Sequence, residues 1–413
     1  MTGTPARPRF GLYQHAVHRP DHDPTAQLED GLALAEHADR LGLHEVWWGE
    51  HRRTSWRLVA DPALMVARAA AVTHRVRLGA VLTIAGRHPA VLADTALQLD
   101  HLTRGRLLLG LSADPVPADA AAAGQTVPEV QLQVREGIEA VSALLHERAP
   151  VSIAARHAPW RLHAARPQLR PYGQDLDVRV VALGAGPGPE LAGRFGHGLL
   201  ATGSAAATAA DEHAADTWQR AVAAAARHGT AAAHDRWAAV GLVHVAASEA
   251  EARRQVRHGI RRWAAHAGSA LPAGLTPDAD ADTLVDALHA GGHGMVGTPA
   301  MAVDHVARVL DRSGGVGTFL IEHAGWADPE DAHASLALFA RAVVPHLTGA
   351  ARGVLSDRAR ETRARRRAAA PSRLLTTTPT PPRGITRVHR DPVRPAGEPS
   401  RRRGRHALDP SAD

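Results

Sequence analysis

From Arg9 to His346, short apolar runs alternate with longer amphipathic stretches, and this rhythm constrains the fold more than any other feature of the chain. Parallel strands can only be joined by a crossover, normally a helix, so a repeated strand-then-helix pattern is how a parallel β/α fold reads in sequence. Strands are expected at Arg9–His15, Glu45–Gly49, Val76–Ile84, Arg106–Leu111, Val178–Leu183, Gly198–Thr202, Ala238–Val245 and Gly317–Ile321. Between and after them fall helix-spaced segments: Pro24–Leu41, one starting at Asp61-Pro62, Pro89–Leu102, Glu129–Leu145, Pro189–Phe195, Ala209–His228, Glu249–His266, Pro299–Asp311 and Asp331–His346. Asp61 suits an N-cap, because its carboxylate can accept from the first free amides, and Pro62 suits the first turn, where no amide is needed. Eight strands in such a series over roughly 340 residues predict an α/β fold of the (β/α)8 TIM-type barrel with loop insertions.

Two insertions interrupt the rhythm. Ala149–Gln174, with Trp160 and Tyr172, has the makings of a short hairpin, and Ala267–Gly294 separates the seventh and eighth units. After Gly349 the composition turns to Arg, Pro, Thr and Ser, too poor in apolar residues to bury a core. The expected organisation is a barrel domain over residues 8–350 and an Arg/Pro-rich tail over 351–413 that is disordered.

Composition removes several chemistries. The chain has no cysteine and no lysine, so all 48 of its Lys+Arg residues are arginine. Thiolate nucleophiles, Cys-type zinc sites, Schiff-base lysines and P-loops are excluded. The tail carries 16 arginines against 6 acidic residues, while residues 1–350 carry 32 against 36. A nucleic-acid partner could therefore rest on the tail alone, which lacks aromatic residues for stacking on bases, and none is expected. The N-terminal MTGTPARPRF has no signal-peptide core and no apolar run is long enough to span a membrane, so a cytoplasmic location is expected.

In a (β/α)8 barrel the reacting groups sit at the C-terminal ends of the strands. Strand one ends at Tyr13-Gln14-His15, strand two in WWGEHRRTSW, and strand four in Ser112-Ala113-Asp114. His51 is the candidate acid–base group, since an imidazole exchanges protons near neutral pH, and the adjacent Glu50 can orient it. After strand five, Gly184-Ala185-Gly186-Pro187-Gly188 leads into a helix. Unpaired amides at such a turn can cradle an anion, or the turn can simply need small residues. The stretch HAVHRPDHD gathers His15, His18, His22, Asp21 and Asp23, but its spacing puts no ligand set on one helical face, and no metal is expected.

Several strings together, FGLYQHAVH, DPTAQLEDGLALAEHADRLGLHEVWWGEHR, HPAVLADTALQLDHLTRGRLLLGL, PELAGRFGHGLLATG, WAAVGLVHVAASEAEAR and MVGTPAMAVDHVARVL, resemble the bacterial luciferase-like flavin-dependent monooxygenase family. Within it the likeness is to the limonene 1,2-monooxygenase-like branch, in register from about Arg9 to Gly349. The resemblance implies a barrel that binds reduced FMN at its strand ends and forms a C4a-hydroperoxide with O2. It also implies a flavin reductase as partner, a small apolar, terpene-like substrate, and often a homodimer. The family's Glu-His pair falls on Glu50 and His51, with Arg52 where a second histidine is common. Its cis peptide under the flavin ring maps to about Ala80–Val81, and Trp47, Trp48 and Trp56 are candidate walls.

The cofactor-binding residues implied are Ala80, Val81, Ser112, Gly184, Ala185, Gly186 and Gly188. Four departures surround them. The phosphate arginine of the light-emitting relatives is Ala113, the hydroxyl-bearing turn has become Ala185-Gly186-Pro187-Gly188, and an arginine early in the fourth helix is Gln131. The His-Asn before Trp-Ala-Asp is Ala324-Gly325, with His323 one place early. Two other functions stay open: a hydride-transferring oxidoreductase that uses the deazaflavin coenzyme, and a catalytically inactive barrel subunit.

Overall fold

The computed structural model describes residues 7–19, 22–53, 56–183, 186–202, 213–267, 271, 275–313 and 316–349. Gly184, Ala185 and the whole 351–413 tail lie outside the described residues. In chain order the elements are β1 (Arg9–Gln14), α1 (Pro24–Arg40), β2 (Glu45–Trp48), α2 (Pro62–Val72), β3 (Arg77–Thr83), α3 (Pro89–Leu102), β4 (Leu107–Ser112), α4 (Pro117–Ala122) and α5 (Val127–His146). Then follow β5 (Val151–Ala154), β6 (Arg161–Ala165), β7 (Asp177–Ala182), α6 (Gly188–Phe195), β8 (Gly198–Ala201), α7 (His213–His228), β9 (Trp237–Val245) and α8 (Glu249–Ala267). The series ends with α9 (Ala281–Ala290), β10 (Gly294–Gly297), α10 (Pro299–Arg312), β11 (Thr318–His323), α11 (Pro329–Ala342) and α12 (Val344–Leu347).

All pairs in the main sheet are parallel, and the sheet closes through β1-β2-β3-β4-β7-β8-β9-β11 and back to β1. This is the expected eight-stranded (β/α)8 barrel. Closure leaves none of these eight strands at an edge, as an open sheet would leave two of them. The Ala149–Gln174 insertion does form an antiparallel hairpin, β5 against β6. The second insertion holds more order than its sequence suggested: α9 and the short strand β10, which pairs with the C-terminal half of β9 at Leu242–Val245. β11 pairs with the N-terminal half, Ala238–Gly241, so β10 splits the barrel wall at its upper end.

Starts and stops follow local chemistry. Asp23, Asp61 and Thr126 cap α1, α2 and α5 with side-chain oxygens, and Pro occupies the first turn in each. Along the strands, alternate residues face the helices or the barrel axis. Phe10, Leu12, Val46, Trp48, Leu78, Ala80, Leu107 and Leu109 pack outward in the large core beneath the helices. Tyr13, Trp47, Val81, Leu108, Val181, Leu200, Val240 and Leu320 fill the axis. Gly79 makes that filling possible, because a Cβ there would stand 2.1 Å from the Trp47 ring.

The barrel floor holds a buried ion pair that sequence reading missed. The Arg179 guanidinium meets the Glu45 carboxylate through Nη1 to Oε2 at 2.9 Å and Nη2 to Oε1 at 2.8 Å. Trp47 Nε1 and Thr318 Oγ1 also donate to Glu45, at 2.9 and 3.2 Å. Burial alone would raise the Glu45 carboxyl, but Arg179 overrides it and holds the group below its ordinary range.

Candidate active site at the barrel mouth

His51 stands just beyond the C-terminal end of β2, where the fold expects chemistry. The loop that follows turns back on itself. Val17 and Arg57 form an antiparallel bridge, Leu58 donates its amide to Ala16 O at 2.9 Å, and the His51 amide donates to Val59 O at 2.8 Å. This return places Arg57 beside His51, with Nη1 donating to His51 Nε2 at 3.0 Å. His51 Nε2 also lies 3.0 Å from His15 Nδ1, and His15 Nε2 lies 3.3 Å from Glu322 Oε1 at the end of β11. Arg57 Nη2 approaches the same Glu322 oxygen at 3.7 Å. The ends of three strands and one loop therefore bring a connected set of titratable groups, Arg57, His51, His15 and Glu322, together at the mouth.

Burial dominates their electrostatics. It holds His15 and His51 well below the usual imidazole range, and the nearby Arg57 adds to the effect on each. Burial also raises the Glu322 carboxyl, against the pull of Arg57. All three are thus driven toward their neutral forms. His51 Nδ1 is buried and has no hydrogen-bond partner among the described residues. Gly49 is required beneath this cluster: a Cβ there would lie 2.8 Å from Tyr13 Oη and 3.0 Å from His15 Nδ1.

Glu50 takes a different place from the one its sequence position suggests. Its carboxylate accepts from the Thr83 amide at 2.9 Å and from Arg87 Nη1 at 2.6 Å, and it pairs with Arg52 at 2.7 Å. It ties the β2 and β3 loops together, and the groups bonded to His51 are His15 and Arg57. Adjacent residues in extended chain point to opposite sides, which is why neighbours in sequence need not be partners in space. Glu322 and His323 show the same alternation. Glu322 faces the axis, while His323 lines a cavity with Leu34, Ala332 and Leu336 behind the barrel wall, and burial lowers it to about 4.

The remaining expected contacts divide. Val81 faces the axis, whereas Ala80 packs against the helices, so only its backbone reaches inward. Among the described residues there is no cis peptide, and the Ala80–Val81 bond is trans. Ser112 Oγ donates to Asp114 O at 3.2 Å. Trp47 fills the barrel interior and Trp48 the outer core, while Trp56 stacks on His266 at 4.2 Å in a separate cluster with Val17, Trp263 and Trp326. His244 is committed to helix α8, where Gln255 Oε1 accepts its Nε2 proton at 2.8 Å.

At the turn after β7, Gly188 allows close packing, since a Cβ would lie 2.8 Å from that of Ala182. Beside it stands Asp114. Its Oδ2 accepts from the Leu183 amide at 2.7 Å, and its Oδ1 lies 2.0 Å from where a Cβ on Gly186 would be. Arg220 reaches the same turn, donating to Gly186 O at 2.7 Å, but its charge is paired with Glu190. A carboxylate thus sits where an anion cradle would open, and its charge opposes a phosphate. The mouth fits the polar edge of a flavin ring, because His51 Nδ1 is a buried polar atom without a partner among the described residues. The described residues of the turn do not fit a phosphate dianion.

Among the described residues, no group of three or more His, Asp or Glu could hold a metal ion, and no helix is long and apolar enough to cross a membrane.

Residues 9–316 match the family described as luciferase-like monooxygenase, and the chain belongs to that family. It is an oxidoreductase of the flavin-dependent monooxygenase type. It is 34% identical over 352 residues to limonene 1,2-monooxygenase of Rhodococcus erythropolis, covering 84% of this chain and 89% of that protein. It is also 34% identical over 376 residues to 4-hydroxyprotoasukamycin monooxygenase of Streptomyces nodosus subsp. asukaensis, covering 87% and 98%. Among solved structures, the oxygenating constituent of 3,6-diketocamphane monooxygenase from Pseudomonas putida, in complex with FMN, superposes with a TM-score of 0.66. That match is at 24% identity over 82% of this chain and 98% of that one, and shows the shared fold.

Proposed function

We propose that this chain is the oxygenase component of a two-component system in the cytoplasm. It takes reduced FMN from a separate flavin reductase and, with O2, places one oxygen atom on a small apolar substrate of terpene type. Family membership supports the reaction class, and the relative named for limonene supports an apolar substrate. The observation that carries the reading is His51, an imidazole at the strand mouth oriented by His15 and Arg57, with a buried Nδ1 that has no partner among the described residues. The reduced flavin, when bound, supplies the electrons that activate O2.

The chain's own part is positioning, proton supply and exclusion of water. His51 is the catalytic donor, through Nδ1–H. Val81, the backbone at Ala80 and Ser112, on β3 and β4, would hold the ring, and of the turn implied by the resemblance (Gly184, Ala185, Gly186 and Gly188) the described Gly186 and Gly188 would face the cofactor's side chain. Glu50 acts through the two loops it ties rather than at the reacting atoms.

Anaerobic titration with reduced FMN, and separately with the reduced deazaflavin coenzyme, tests the reading. Saturable FMN binding followed by O2 consumption on aeration is expected. His51→Ala should lower product formation by about 10²–10⁴-fold, the usual contribution of an acid–base group, with folding intact. Turnover of the deazaflavin without O2, or an unchanged rate in His51→Ala, contradicts it.

A further inference from the structure

We propose that His15 and Glu322 form a proton relay behind His51, with Glu322 as the proton's resting place and His51 Nδ1 as its exit. The inference deepens the reading of the mouth as the site of oxygen transfer and rests on it.

With both imidazoles neutral, the form that burial and Arg57 favour, the donors and acceptors can be arranged in one way. A guanidinium only donates, so Arg57 Nη1 at 3.0 Å requires a lone pair on His51 Nε2. A neutral His51 then carries its proton on Nδ1, the atom with no partner among the described residues. With His51 Nε2 accepting, His15 Nδ1 at 3.0 Å must donate. A neutral His15 in turn accepts at Nε2, and the group facing that nitrogen at 3.3 Å is a carboxyl oxygen of Glu322. Two acceptors cannot bond, so the proton between them belongs to the carboxyl. Burial pushes in the same direction, raising the Glu322 carboxyl and lowering His15.

Delivery is then a concerted shift with every proton accounted for. The Glu322 Oε1–H bond breaks as His15 Nε2–H forms, and His15 Nδ1–H breaks as His51 Nε2–H forms. The His51 Nδ1–H bond breaks last, and its proton passes to a basic atom of the bound molecule. Both rings end neutral with their tautomers exchanged. One positive charge has moved to the bound molecule and one negative charge remains on Glu322. Arg57 answers that charge: it loses its acceptor at His51 Nε2 and has Nη2 already 3.7 Å from Glu322 Oε1. Glu322 and His15 are therefore positioning residues that supply His51, not groups that touch the substrate.

Glu322→Gln tests this, because an amide keeps the shape and can still donate to His15 Nε2 but cannot give up its proton. In the full-length protein without cofactor, infrared difference spectra of wild type minus Glu322→Gln at neutral pH should show one protonated-carboxyl carbonyl stretch. In turnover with reduced FMN, O2 and limonene, kcat should fall about 10²-fold, at the lower end for a removed acid–base group. KM and flavin affinity should hold. In a His51→Ala background the second substitution should have no further effect. Absence of the carbonyl band, or an unchanged kcat in Glu322→Gln, overturns the relay. The infrared result stands even if the wild-type protein oxidises nothing, in which case the proposed function fails while the resting place of the proton is still decided.

Discussion

The ion pair on the barrel floor allows a quantitative test of what holds the scaffold. Glu45 and Arg179 are both 0% exposed, and four donors converge on the Glu45 carboxylate: two from Arg179, one from Trp47 and one from Thr318. Glu45→Gln keeps the volume but turns an amide NH2 toward one of these donors and removes the charge that compensates Arg179. Removing one partner of a buried pair costs about 3–5 kcal/mol, because the other charge stays in a medium that cannot solvate it. Asp177, 3.5 Å from Arg179, retains part of the compensation. The expected loss is therefore at the low end, about 3 kcal/mol. Replacing both groups, as Glu45→Leu with Arg179→Met, should recover most of it, since an apolar pair of similar volume is often neutral or better. A residue of about 1 kcal/mol, the low end for an unmade buried hydrogen bond, should remain for the Trp47 N–H left without an acceptor. Urea unfolding followed by far-UV circular dichroism reads both variants. A Glu45→Gln loss below about 1 kcal/mol, or a double variant no more stable than the single one, would refute the reasoning.

Three further outcomes follow from other sites. Riboflavin should bind at least as tightly as FMN, and Asp114→Asn should raise the FMN-to-riboflavin affinity ratio about tenfold, or about 1.4 kcal/mol, by removing the charge while keeping an acceptor for Leu183. Fluorescence titration checks this, and a many-fold wild-type preference for FMN contradicts it. Gly49→Ala should displace His15 and Tyr13, lowering activity at least tenfold, with an overpacking cost of about 1–3 kcal/mol measured as a lower melting temperature. The pH dependence of stability should carry the mark of His197 and His305, lowered by burial to about 3 and about 4. Their unfolded forms take up protons near pH 6.5 that the folded forms refuse. Stability should therefore be intact above about pH 6.5 and fall toward pH 4, by about 1.4 kcal/mol per pH unit for each histidine. Urea midpoints at pH 7.5 and 5.5 test the slope, and His305→Gln should flatten it.

The barrel was legible because its signals are periodic and local. α3 is found over the residues its sequence pattern indicated, and the eight wall strands lie within two residues of expectation at either end. β10 was not legible: Gly294–Gly297 is four residues with glycine at both ends, too short to show a period. At the mouth, position alone singled out His51, and His15 was visible as the end of strand one. Glu322 was hidden because strand eight read as ending at Ile321, one residue too soon to carry an inward carboxyl. Adjacency in the chain does not make Glu50 the partner of His51, because the two side chains leave the loop on opposite sides. Glu45 and Arg179 did leave a signal, opposite charges on the inward phase of two apolar strands 134 residues apart. Recognising it requires the barrel register, which sequence periodicity does not supply. Asp114 likewise marks only a strand end in sequence, and it is the fold that sets it against Gly186.

The most direct test of the account is isotopic. The protein, supplied with reduced FMN by a flavin reductase and with limonene as an apolar alkene, is aerated with ¹⁸O₂ and the products are analysed by mass spectrometry. The account predicts an oxygenated product carrying one ¹⁸O atom from O2, formed by the wild type and depressed in His51→Ala. Unchanged alkene despite bound reduced flavin, or product whose oxygen comes from water, would contradict it.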